Sequence, residues 1–360
     1  MGKIGELLRG ILFGTKRLII YWNLKEGNII FNNVFQGKTI LITGHTGFKG
    51  SWLCVWLKQL GANVIGVSIN IPSSPSIFST SFISNVVEDY RIDIRDIDAL
   101  RSLVQKTQPD FVFHLAAQAL VGLSYEKPID TITTNAIGSV NVLESIKSLN
   151  KKVVAIMITS DKAYDNVEWV WGYRETDKIG GQDPYSASKG MAELAIRSYI
   201  ESFFSQTDSI VKVGIARAGN VIGGGDWAKD RIVPDCMNSW SNSETVDIRS
   251  PNSTRPWQHV LEPLSGYLAL ASNLFLEEKN HGQAYNFGPS SDQNFSVSRL
   301  IDEMSNYWEQ VSWKDTSSSK NNFHEAGLLK LNCDKALHDL NWRSTLSFEQ
   351  TVKMTVEWYK

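Results

Sequence analysis

Cysteine is scarce in this chain. Three residues of 360 are cysteine, Cys54, Cys236 and Cys333, far apart and with no C-x-x-C spacing or partnering histidine. That excludes a disulfide frame and a cysteine-based metal centre, so no metal is expected, and it fits a reducing compartment, the cytoplasm. An excess of one charge is also missing. Lys and Arg number 36 against 38 Asp and Glu, a net charge of -2, which gives no electrostatic footprint for a nucleic-acid partner. No apolar run reaches the ~18–20 residues of a membrane span. No small-residue cleavage site follows the first apolar stretch, which speaks against a secretory signal. Internal repeats and low-complexity tracts are absent too. What is plentiful is apolar content, 42%, enough for one large domain or two, and tryptophan, 12 in all. Several tryptophans stand in polar surroundings, as expected of a site that stacks on sugars or bases.

The stretch Lys38 to Leu60 reads as a buried strand, a glycine loop and a helix ending at Gly61. Gly44, Gly47 and Gly50 follow a G-x-x-G-x-x-G spacing. The first serves the tight turn off the strand, the second lets backbone approach a pyrophosphate, and the third lets the helix pack on the sheet. The helix N-terminus then offers N–H groups and the positive end of its dipole to phosphates. Thr46, Phe48 and Lys49 lie in the same loop and are candidate dinucleotide contacts with the glycines. The strand before the loop and the helix after it supply the context that a glycine pattern alone lacks.

The first 33 residues are basic and partly amphipathic. Leu7, Leu8, Ile11 and Leu12 share a helical face, and Lys16 and Arg17 interrupt the apolar run. Two readings stand, an interfacial or partner-binding helix and a dispensable or disordered extension. After the first helix, a second strand is predicted over Asn63–Asn70. Asn70 stands at its end, where a dinucleotide fold reads the adenosine ribose. An acid there would repel a 2′-phosphate and Asn does not, so NAD is expected with NADP not excluded. Asp93 and Ile94 belong to an acidic turn after a third strand, placed to lie against an adenine. Asp96 or Asp98 would cap the helix that follows. The fourth strand, Phe111–Leu115, runs into Ala116, Ala117 and Gln118, where small residues allow a close approach to the cofactor. Asn135, on the next helix, reads equally well as a structural hydrogen-bonding residue.

The fifth strand, Val153–Ile158, ends in Thr159-Ser160-Asp161-Lys162. Hydroxyl, carboxylate and amine emerging together at a strand's C-terminal end mark where α/β active sites form. Asp183 then opens a long helix reaching about Phe204, and on it Tyr185 and Lys189 are four residues apart on one face. A cationic Lys beside a phenol lowers the phenol's pKa and makes Tyr185 a usable base. The competing reading is a surface Lys beside a core Tyr. Further on, Arg217 to Trp227 leaves a sixth strand and enters a second glycine loop, and Arg255-Pro256-Trp257-Gln258-His259-Val260 brings cation, aromatic and imidazole together. Arg231 and Arg255 are candidates for bidentate diphosphate binding, with a structural role equally open. His259 lacks metal-ligand spacing and reads as a hydrogen-bonding residue. A helix is expected near Val297–Trp308 and a last one around Phe348–Tyr359. Alternating strands and helices predict a doubly wound parallel sheet with right-handed crossovers. The expected organisation is an extension (1–33), a Rossmann-type domain (34–215) and a smaller mixed α/β substrate domain (216–360) with some segments returning to the first.

Together these motifs resemble the extended short-chain dehydrogenase/reductase family, over roughly Phe35 to Lys360. The marks are Gly44 to Leu53, Thr159 to Lys162, Trp169 to Glu175, Asp183 to Lys189, Arg217 to Trp227 and Arg255 to Val260. Within the family, Lys162 after Asp161 resembles the branch that dehydrates CDP-glucose, since dTDP- and GDP-hexose dehydratases carry Asp-Glu. The resemblance implies a lyase with a tightly bound, recycled NAD, and a deoxysugar product used in surface polysaccharide such as lipopolysaccharide O-antigen. Tyr185, with Lys189 and Ser160, would take the C4 hydroxyl proton, Lys162 the C5 proton, and Asp161 would protonate the departing C6 hydroxyl. Leu115, Ala116, Ala117 and Thr159 would line the cofactor; Gln118, Asn220, Asp226, Trp227, Arg231, Arg255 and His259 would line the substrate. A homodimer packed through Asn135–Leu149 and Ser188–Phe204 is also implied. Other nucleotide-sugar dehydratases or epimerases are the alternative, as is a silent dinucleotide-binding regulator. An epimerase needs neither Asp161 nor Lys162, and a silent regulator would be expected to have lost Tyr185 or Lys189.

Overall fold

The computed structural model describes residues 30–205, 209–277, 279–318 and 327–360. The amphipathic face expected on Leu7, Leu8, Ile11 and Leu12 lies outside them. Seven strands form one sheet: β1 (Thr39–Thr43), β2 (Asn63–Val67), β3 (Glu88–Tyr90), β4 (Phe111–His114), β5 (Val153–Ile158), β6 (Val211–Ala218) and β7 (Ala284–Phe287). Their order is β7-β6-β5-β4-β1-β2-β3, and every pairing is parallel. The central strands are apolar runs because helices cover both faces, so that all six residues of β5 and all eight of β6 are buried. The strand order reverses between β1 and β4, which opens a crevice at their C-terminal ends.

Helices α1 (Phe48–Gln59) and α6 (Leu261–Leu276) pack on one face. On the other lie α2 (Ile97–Thr107), α3 (Gly138–Lys147) and α4 (Pro184–Tyr199). Asp96 caps α2, its side chain accepting Ala99 N at 3.0 Å. Asp183 caps α4 by accepting Ser186 N at 2.9 Å, with Pro184 in the first turn where its missing N–H costs nothing. The regular α4 stops at Tyr199 and continues as a wider π-type turn to Phe204, so the long helix expected there changes pitch near its end. A third apolar cluster joins α5 (Ile232–Ser241), α7 (Val297–Ser305) and α8 (Phe348–Tyr359) around Trp240 and Trp257. Short strand pairs stitch this smaller lobe, Val221–Ile222 with Gln258–His259 and Thr254–Arg255 with Phe295–Ser296. Strand β7 and helix α6 come from the chain's second half yet belong to the main sheet and its cover.

Other expected boundaries differ too; the fourth strand ends at His114, one residue short of Leu115. β2 ends at Val67, because Ser68 turns its hydroxyl to His45 and the chain leaves the sheet. α7 ends at Ser305, three residues short of Trp308.

Candidate active site

The glycine loop is built so that nothing but backbone fits at its turns. Gly44 has φ +77°, and a Cβ there would stand 2.7 Å from the backbone N of Ala116. A Cβ on Gly50 would meet the Gly44 carbonyl oxygen at 2.1 Å. Gly47 begins α1 with no side-chain cap, which leaves the first-turn N–H groups to an outside acceptor. This close-packed cradle with an uncapped helix end fits a dinucleotide's pyrophosphate. Leu115 N donates to Thr43 O (3.0 Å) and Ala116 N to Thr43 Oγ1 (3.2 Å), locking the small-residue segment beside the loop.

Other expected cofactor residues take particular places. Thr46 Oγ1 donates to the Asn70 carbonyl oxygen at 2.6 Å, and Asn70 itself is exposed in the loop beyond β2. Phe48 sends its ring toward the second glycine loop, where a Cβ on Gly223 would be 3.2 Å away. Asp93 is held by Arg95, whose Nε and Nη2 donate at 2.9 and 2.7 Å to its Oδ2 and keep its pKa below the usual carboxylate value. Ile94 is buried against Gly138. The sequence reading missed His45: wholly buried, it contacts Asp89 Oδ1 and Ser68 Oγ at 3.0 Å each and ties the loop to the ends of β2 and β3.

The end of β5 gathers the reactive groups. Ser160 Oγ donates to Asp161 Oδ1 at 2.9 Å and accepts Lys162 N at 3.2 Å, and it acts to lower the pKa of Tyr185. Asp161 is buried, and its Oδ2 has no hydrogen-bond partner. Burial raises its pKa, and the cations Lys162, Arg255 and Lys49, with Ser160, pull the other way. Lys162 is half-buried beside it.

Tyr185 departs from expectation. Burial pushes its phenol up to about 12, with Ser160 and Arg231 working against that rise. Lys189 is instead lowered to about 8 by burial, with Glu193, one turn further along α4, working against that. Spacing put Lys189 on the right face but could not show which neighbour it faces.

On the far wall, Arg231 Nη1 donates to Asp226 Oδ2 at 2.8 Å and acts electrostatically on both Tyr185 and Lys49. Asp226 also accepts Ala228 N at 3.2 Å. Arg255 is buried, its Nη1 donating to Thr254 O at 2.8 Å. His259 is buried and its pKa lowered to about 4, so it is neutral, with Nδ1 accepting Leu261 N at 3.4 Å. Trp227 meets Tyr359 edge-on at 5.1 Å, and Asn220 is half-buried just after β6.

Two expected contacts are turned away. Gln118 spends its amide inside its own loop: Nε2 donates to Leu120 O and Thr131 Oγ1 at 2.9 Å each, and Oε1 accepts Leu120 N at 2.6 Å. Both amide hydrogens of Gln118 are thus taken up within the protein, by partners that the sequence did not indicate. Thr159 Oγ1 donates at 2.6 Å to Glu193 Oε1, away from the crevice. Asn135 takes its structural reading, accepting Gln118 N at 2.8 Å and donating to Ser188 Oγ at 2.8 Å. Glu193 and Arg217, both fully buried, form an ion pair behind the site at 2.8 and 2.9 Å. Among the described residues no group of His, Cys, Asp and Glu could hold a metal ion, and no helix is long and apolar enough to cross a membrane.

Residues 41–355 match the family model described as GDP-mannose 4,6 dehydratase. The chain is 46% identical to a CDP-glucose 4,6-dehydratase of Salmonella typhimurium, covering 92% of this chain and 93% of that one. It is 23% identical to the human dTDP-D-glucose 4,6-dehydratase over 90% of each. Among solved structures, a dTDP-glucose 4,6-dehydratase from Streptomyces venezuelae with NAD bound aligns with TM-score 0.75 at 20% identity, over 89% of this chain and 96% of that one. A UDP-glucose 4-epimerase from Thermotoga maritima aligns with TM-score 0.74 at 24% identity, over 89% and 98%. At these identities the two structures show the fold alone.

Proposed function

The chain belongs to the GDP-mannose 4,6-dehydratase family, and from that premise we propose that it is an NAD-dependent hydro-lyase converting CDP-glucose to CDP-4-dehydro-6-deoxyglucose. The observation that carries this reading is Asp161 and Lys162 side by side at the end of β5, Asp161 buried with one oxygen unpartnered. A reaction that only oxidises and re-reduces C4 needs neither a C5 base nor a C6 acid. The 46% identity to the Salmonella enzyme supports CDP-glucose as the substrate.

Gly44, Gly47 and Gly50 would hold the pyrophosphate of an NAD, which when bound would supply a hydride acceptor and donor that is regenerated in each turnover and so need not leave. The chain's own residues handle the protons. Tyr185 takes the C4 hydroxyl proton; burial raises its phenol, and Ser160 and Arg231 work against that rise. The C4 ketone acidifies C5, and Lys162 removes that proton. Asp161 donates to the C6 hydroxyl, which leaves as water, and Lys162 returns its proton to C5. The proton that Tyr185 took from the C4 hydroxyl is released to solvent and one is taken back by Asp161, so every group regains its starting state and the balance is the loss of one water. Lys189 lies behind Tyr185, and Arg231 and Arg255 hold the diphosphate in the crevice that Asn220, Asp226, Trp227 and His259 line.

The state supported is a homodimer. Ile137, Met191, Leu194 and Phe203 are apolar and exposed around α3 and α4, where two copies of those helices would bury them together. The free thiols of Cys54, Cys236 and Cys333 suit the cytoplasm, where a nucleotide-sugar substrate is made.

The test is incubation of the purified protein with CDP-glucose and NAD, following the alkali-induced absorbance of a 4-keto sugar, with UDP-, dTDP- and GDP-sugars in parallel. Signal with CDP-glucose is expected, and Lys162→Ala and Tyr185→Phe should each lower it about 10²–10⁴-fold. Signal with another nucleotide alone would keep the chemistry and overturn the substrate; none with any would overturn the dehydratase.

A further inference from the structure

Lys49 stands in the glycine loop, where its position suggests a cofactor contact, but its amine goes elsewhere. It lies in the first turn of α1, and Nζ reaches 3.4 Å from the Tyr267 hydroxyl. Tyr267 is wholly buried in the middle of α6, the helix packed beneath the face of the sheet that carries Ile156 and Ile158 of β5. The Lys49 amine lies 5.9 Å from the Tyr267 ring centroid. It is thus directed under the C-terminal end of β5, where Asp161 begins.

Asp161 has the corresponding gap. Its Oδ1 is occupied by Ser160, and its Oδ2 is buried and without a hydrogen-bond partner. The groups that face it come from separate elements: Ser160 and Lys162 beside it, Arg255 from the smaller lobe, Tyr185 on α4, Tyr267 on α6 and Lys49 on α1. Lys49 in turn faces Asp161, Arg231 and Lys189. The reaction assigned to this site uses Lys162, Tyr185 and Asp161, and leaves Lys49 without a task.

We propose that Lys49, braced by Tyr267, is a positioning residue for the elimination half of the reaction: its ammonium acts on Asp161 through space, without a direct hydrogen bond, and makes that carboxyl a readier proton donor to the departing C6 hydroxyl. This rests on the dehydratase reading. The physical logic has two opposed signs. Burial holds the proton on Asp161, which an acid needs at neutral pH, while a nearby cation weakens that hold, which a donor needs. Lys49 is itself lowered to about 8 by burial, so it is still largely charged at neutral pH.

The test pairs Lys49→Met, which keeps the length and removes the charge, with Lys49→Arg, which keeps the charge. Two quantities are read: NAD affinity by titration of the protein's tryptophan fluorescence, and the pH profile of kcat for keto-sugar formation. The Met variant should bind NAD as the wild type does. Its plateau kcat should fall about tenfold, while the alkaline limb, along which Asp161 loses its proton, moves up by about one pH unit. The Arg variant should keep the limb at or below its wild-type position. NAD binding weakened about tenfold in the Met variant, the loss of a charge-assisted phosphate contact, would make Lys49 a cofactor ligand and overturn the proposal. So would a lower kcat with the limb unmoved. If the wild type fails on CDP-glucose, the dehydratase reading fails by itself, and the NAD titration still decides whether Lys49 is a cofactor ligand.

Discussion

Asp161 and Glu193 are both carboxylates cut off from water within reach of the end of β5, and their surroundings differ in kind. Glu193 is saturated: Oε1 accepts Thr159 Oγ1 at 2.6 Å and Arg217 Nε at 2.8 Å, and Oε2 accepts Arg217 Nη2 at 2.9 Å. Arg217 is anchored in turn by Tyr164, whose hydroxyl donates to Asn286 on β7. Asp161 has one hydrogen bond from its neighbouring serine and an oxygen left over, with cations around it rather than a dedicated partner. A carboxylate with three donors and a dedicated guanidinium partner holds structure in place. One kept dry with an oxygen unpartnered has its pKa raised by burial. The same contrast separates two of the site's lysines. Lys189 faces Glu193 and belongs to the framework side, whereas Lys49 faces Asp161.

The contrast breaks most visibly at Glu193. Glu193→Ala strands a fully buried guanidinium, and chemical denaturation should show a loss of about 3–5 kcal/mol. A loss below about 1 kcal/mol, the size of an exposed pair, would mean that the Glu193–Arg217 pair does not carry the framework.

Asp161→Asn should act in the opposite sense on stability. Burial raises the folded-state pKa of Asp161 above its unfolded value. Between those two values the folded state binds more protons than the unfolded one, so stability falls as pH rises through the window. Asn carries no such penalty. The variant should therefore match the wild type in acid and exceed its Tm at neutral pH, while keto-sugar formation collapses. Parallel Tm-against-pH curves for the two proteins would show Asp161 to be as well satisfied as Glu193 and dissolve the distinction.

How much of this was legible in the sequence follows the distance between partners. The glycine loop, Ser160-Asp161-Lys162 and the Tyr185/Lys189 face could be read because each is a local pattern whose geometry a strand end or a helix turn fixes. The Glu193–Arg217 pair could not, since α4 and β6 meet only through the sheet, although Lys189 and Glu193 at a four-residue spacing hinted at a shared face. Lys49 was read as a cofactor residue because its neighbours in sequence are. Its partner Tyr267 lies 218 residues away. The bonds from Thr159 to Glu193 and from Gln118 to Thr131 were hidden for a related reason: small polar groups beside an active site satisfy buried neighbours as readily as ligands. For Tyr185, an i, i+4 spacing gives proximity to Lys189 but says nothing of burial, which raises the phenol.

The finest test compares two adjacent hydroxyls. Thr159 and Ser160 follow each other at the end of β5, yet they serve different carboxylates, Glu193 at 2.6 Å and Asp161 at 2.9 Å. Thr159→Val removes one of the bonds to Glu193 Oε1 and leaves Arg217 Nε on the same oxygen, so the ion pair survives. The expected cost is about 1 kcal/mol in unfolding free energy, with the rate reduced far less than the stability. Ser160→Ala should reverse that pattern, because Asp161 loses its hydrogen bond and Tyr185 loses a group that favours its charged form. Its kcat should fall well before its Tm does. Were both substitutions to lower Tm and kcat alike, the two hydroxyls would belong to one network, and the division between framework and reacting carboxylate would have to be drawn elsewhere.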